Sequence, residues 1–312
     1  MTSSEQPKIA SSPFDNPMAD LIIRSSDAVD FFVPRVLMAL ASPVFEGMFI
    51  VAEPTSPACA ASAHAHAQPV VDLTEDSRTI DRLLRFIYPM ARPALASAAE
   101  ALAVLEAASK YMVDHAVADV LQQFAALAEV QPHAAYLLAC DRRREDAVRV
   151  AARAALLRRA PAESDAGARE LEAQCPGALA RLRAYHDACG AAASGVVAGY
   201  VPRALKLHTG RGRMSFMLRA CALSDEELVE MRKKREWWQD PLKHAASIVR
   251  ATPHPRVVAS PKFWSRVFVK GAQENWDPAQ EQAKMTLMEQ CRVELSESVE
   301  AAISKVRLEV VL

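Results

Sequence analysis

The residues of this chain best suited to metal or redox chemistry are six cysteines and the closely spaced pair His64 and His66. Cys59, Cys140, Cys175, Cys189, Cys221 and Cys291 contain no C-x-x-C pair, the spacing that lets one turn present two thiolates together. Reduced and mostly buried thiols are therefore expected. His64 and His66 are alternate residues in a Pro-, Ser- and Ala-rich stretch, without the further ligands that a closed site needs. Cys189, His208 and Cys221 also lack ligand-like spacing. Neither a metal nor any other cofactor is expected. A nucleophile elbow, a phosphate loop, a His-Glu-x-x-His helix and a dinucleotide fingerprint are all missing, and there are only nine glycines from which to build such turns. The sequence thus points away from catalysis and toward binding.

Charge narrows the kind of partner. With 37 Lys and Arg against 38 Asp and Glu, the chain has no long-range field to draw in nucleic acid or an anionic membrane. Protein partners are expected instead. Arg232, Lys233, Lys234 and Arg235 form a basic cluster that a nuclear-import receptor could read. They follow the acidic run from Asp225 to Glu230, however, so a solvated, charge-laced helix face is the simpler reading. Trp237 and Trp238 cannot share one helix face, so at least one is either a core anchor of the C-terminal bundle or an exposed partner-binding aromatic, the core reading being favoured. No run of about 18 apolar residues occurs, and the N-terminus has no apolar signal core. A cytoplasmic or nuclear location, or both, is expected.

The elements that would position such a surface change character along the chain. Asp20 to Ser25 and Val29 to Val33 read as a β-hairpin, and Pro69 to Leu73 as a third strand. Helical spacing begins after Pro34 with Val36, Leu37 and Leu40, and resumes after Ser42-Pro43 with Val44, Phe45, Met48 and Phe49. Asp76 or Ser77 can cap a helix carrying Ile80, Leu83, Leu84 and Ile87, and Ser97 can cap another. Beyond Val130 only helical patterns appear. The expectation is an α+β N-terminal domain, a small sheet flanked by helices, followed by an all-α C-terminal region. In residue terms this means a disordered N-terminus over 1–17, the domain over 18–128 with a flexible insertion at about 53–69, and a helix pair over 129–160. A linker over 161–177 and an all-α domain over 178–312 complete it. The last helix places Met288, Cys291, Leu295, Val299, Ala302 and Val306 on one face.

Four blocks, in order, carry a resemblance. The first is Asp20-Leu21-Ile22-Ile23 followed by Phe32-Val33-Pro34-Arg35-Val36-Leu37 and Ser42-Pro43-Val44-Phe45. Then come Val70-Val71-Asp72-Leu73, Leu83-Leu84-Arg85-Phe86-Ile87-Tyr88 and Ala107-Ala108-Ser109-Lys110-Tyr111. Together they resemble a BTB (POZ) domain, and the whole chain is similar in style to fungal BTB proteins of unassigned role. Pro34 stands where the family usually has His. The resemblance implies self-association through the first strand and first helices, with Leu21, Ile23, Val36, Leu37 and Leu40 as candidate contacts and a homodimer as the product. It also implies that Asp20 and Arg35 lie together in a largely buried pocket. That pair could hold a ligand, but an internal fixing pair is favoured, and losing one partner would cost about 3–5 kcal/mol.

Some BTB adaptors hold a cullin through a hydrophobic-x-Glu tripeptide after the second helix. Val51-Ala52-Glu53 occupies about that place, beside Met48 and Phe49. The alternatives to a self-associating interaction protein are therefore a substrate adaptor of a cullin ubiquitin ligase and a nuclear or transcriptional scaffold.

Overall fold

The computed structural model describes residues 7–52, 68–160, 175–200, 236–268 and 278–310. The chain divides into two compact units, residues 1–130 and 131–312.

The sheet of the first unit begins before the hairpin. Strand β1 (Lys8–Ile9) runs parallel to β3 (Val29–Val33), β3 is antiparallel to β2 (Leu21–Arg24), and β2 is parallel to β4 (Val70–Asp72). The order is β1-β3-β2-β4. Residues 7–17 therefore do not belong to a disordered N-terminus. The Lys8 and Ala10 N–H groups donate to Ala28 and Asp30 carbonyls at 2.9 Å, and the fully buried Phe14 ring meets Tyr88 edge-on at 5.0 Å. A two-residue strand is too short to show alternation, so its sequence gave no signal. The end of the predicted 53–69 excursion is likewise tied down, since Gln68 Nε2 donates to the Pro17 and Ala19 carbonyls at 2.6 Å each. Residues 53–67, including His64 and His66, lie outside the described residues.

Helix α1 (Arg35–Ala41) leads into α2 (Pro43–Ala52), and α3 (Ser77–Ile87), α4 (Ala98–Lys110) and α5 (Asp114–Val130) complete the unit. The two sequence caps are real. Asp76 accepts from the Thr79 N–H at 2.8 Å and Ser97 from the Glu100 N–H at 3.2 Å, which satisfies donors at each helix start. The core is apolar and continuous in kind: Leu21, Ile23, Phe31, Val33, Met38, Phe45, Leu83, Leu84, Leu105, Val120 and Phe124 are all buried.

The second unit is helical among its described residues. Helix α6 (Pro132–Asp141) pairs with α7 (Glu145–Ala155), and α8 (Ala178–Ala198) packs on α9 (Glu236–Ala251). Short α10 (Pro255–Ala259) and α11 (Pro261–Phe268) precede the long α12 (Pro278–Ile303). Cys291, Leu295, Val299 and Ile303 of α12 repeat every four residues and enter one core with Cys189, Val197, Leu242, Val249 and Trp264. Trp264 is anchored by its indole N–H, which donates to the Val258 carbonyl at 2.7 Å. At Gly190 the helices α8 and α9 approach so closely that a Cβ would lie 2.6 Å from the Arg250 carbonyl oxygen. The side chains of Trp237 and Trp238, and residues 232–235 of the basic cluster, are outside the described residues.

Candidate interaction surface

Alternation along β2 settles part of the candidate surface. Leu21 and Ile23 are fully buried while Ile22 and Arg24 face outward, so Leu21 and Ile23 are removed from the contact candidates. One face of a strand cannot serve both the core and a partner. Arg24 instead meets Asp30 directly across the hairpin, Nε to Oδ1 at 2.6 Å and a second guanidinium nitrogen to Oδ2 at 2.9 Å. This fork-to-fork pair, with Asp30 nearly buried, was not anticipated from sequence. The hairpin register places the two residues opposite each other and was the available signal.

The Asp20 and Arg35 pair is also corrected. Asp20 is exposed, and its Oδ1 accepts a 2.7 Å hydrogen bond from the backbone N–H of Arg35. The carboxylate thus caps the first residue of α1, where Pro34, the residue just before the helix, offers no side-chain acceptor. The Arg35 guanidinium turns to α2, donating to the Phe49 carbonyl at 3.0 Å with its carbon 4.9 Å from the Phe49 ring centre. Phe49 is accordingly buried and is removed as a partner contact.

What remains exposed is an apolar strip on α1 and α2. Val36 is 61% and Leu40 81% exposed, one turn apart, whereas Met38 between them is fully buried. Leu37, half-buried, lines an open groove of about 580 Å³ with Phe86, Tyr88, Met90, Arg92 and His115. Burial pushes the Tyr88 phenol up to about 12, so it stays neutral there. Arg92 donates to the Phe86 carbonyl and pairs with Asp119 at 2.9 Å, fixing the groove's rim. On α2, Met48 and Ile50 are 37% and 69% exposed. The Val51 side chain and Glu53 are outside the described residues.

Behind this face, Glu75 binds α4. Its carboxylate accepts from Lys110 Nζ at 2.8 Å and from the Tyr111 hydroxyl at 2.6 Å. Burial alone would raise the Glu75 carboxyl, but the bonds from Lys110 and Tyr111 outweigh it and hold it below the usual range.

A small mixed sheet flanked by helices, with apolar side chains left uncovered on its first helices, is the architecture of a protein-binding module. Residues 12–126 match the family model of the BTB/POZ domain, and the N-terminal unit is a BTB/POZ domain. That domain is a protein–protein interaction fold, generally non-enzymatic, and the described residues of the rest of the chain are largely helical. Among curated proteins none matches the chain. Among the described residues no helix is long and apolar enough to cross a membrane.

Proposed function

We propose that this chain is a non-catalytic binding protein that self-associates through its BTB domain and holds another protein with its helical C-terminal unit. The observation that carries the reading is the outward pair Val36 and Leu40 on a helix whose other face is already buried. Large apolar side chains one turn apart gain free energy when a second surface covers them. Sizing the purified chain by light scattering tests it. The expected mass is about twice 34.1 kDa, falling to one chain in the Val36→Asp, Leu40→Asp variant. A strict wild-type monomer at micromolar concentration would sink the dimer.

The exposure of Met48 and Ile50 on α2 favours a second reading, an adaptor that holds a cullin beside this helix. Pull-down of the cullin by wild type, weakened by Met48→Ala and by Glu53→Ala, is the result expected. No cullin with any of the three would remove this role.

A further inference from the structure

We draw no further inference here: the strongest candidate, the outward face of α2 on which Pro43, Gly47 and Ile50 stand exposed and a Cβ at Gly47 would meet nothing within 4 Å, carries none because nothing in the structure shows what covers it.

Discussion

The Ser42 hydroxyl donates a 2.5 Å hydrogen bond to the backbone carbonyl of Tyr111, 69 residues further along the chain. The same oxygen accepts from the Phe45 N–H at 3.1 Å, and the Phe45 ring stacks on the Tyr111 ring with centroids 4.9 Å apart. One buried serine therefore starts α2 and locks it onto the end of α4.

Replacing Ser42 by Ala strips a partner from a buried donor and a buried acceptor at once. The expected loss is about 1–3 kcal/mol. It should appear as a lower urea midpoint in circular dichroism with the slope unchanged. All four Trp residues lie beyond residue 236, so Trp fluorescence follows the C-terminal unit alone and separates the two transitions.

Acid should weaken the BTB domain through Glu75. Its folded-state carboxyl is held below the usual range, so its stabilisation is complete above an unfolded value of about 4.3 and is lost as pH falls through the lower folded value. Urea midpoints measured from pH 7 down to pH 3 should fall for wild type. Glu75→Gln should start lower at pH 7 and fall less steeply.

Asp20→Ala distinguishes a helix cap from a buried charge pair. A cap is worth about 0.5–2 kcal/mol, against the 3–5 expected for stranding a buried ion. Because only an acceptor facing the Arg35 N–H is needed, Asp20→Asn should retain most wild-type stability in the same denaturation measurement.

Gly190→Ala should destabilise the C-terminal unit by about 1–3 kcal/mol, because the new methyl must push the α9 backbone away. A lower melting temperature by Trp fluorescence is the readout. The BTB transition should be unmoved.

How much of this was legible in the sequence follows from which signals are local. The hairpin, the Asp76 and Ser97 caps and the Cys291, Leu295 and Val299 repeat of α12 are short-range patterns that the residues themselves state, although the repeat ends on Ile303 rather than on the expected Ala302. The ordered Lys8–Ile9 strand was not legible, because its partner is 21 positions away and two residues carry no period. For the surface, Val36 and Leu40 could be nominated from helical spacing. The fate of Leu21 and Ile23 depended on which face of β2 the helices cover. Phe49 was claimed by Arg35, which no spacing rule encodes.

The carboxylate cap on α1 has a kinetic side. Asp20 and Arg35 are 15 positions apart, so their bond closes a small loop, whereas the Ser42 bond to Tyr111 must wait for one of 69. Loop closure costs more as the separation grows, and distant pairings slow folding. The hairpin with its capped helix is thus the segment able to assemble first, and arrival of the Lys110-Tyr111 end of α4 is the step expected to limit the rate. In that order of events, substitutions at Asp20, whose bond forms before that step, would mainly slow refolding.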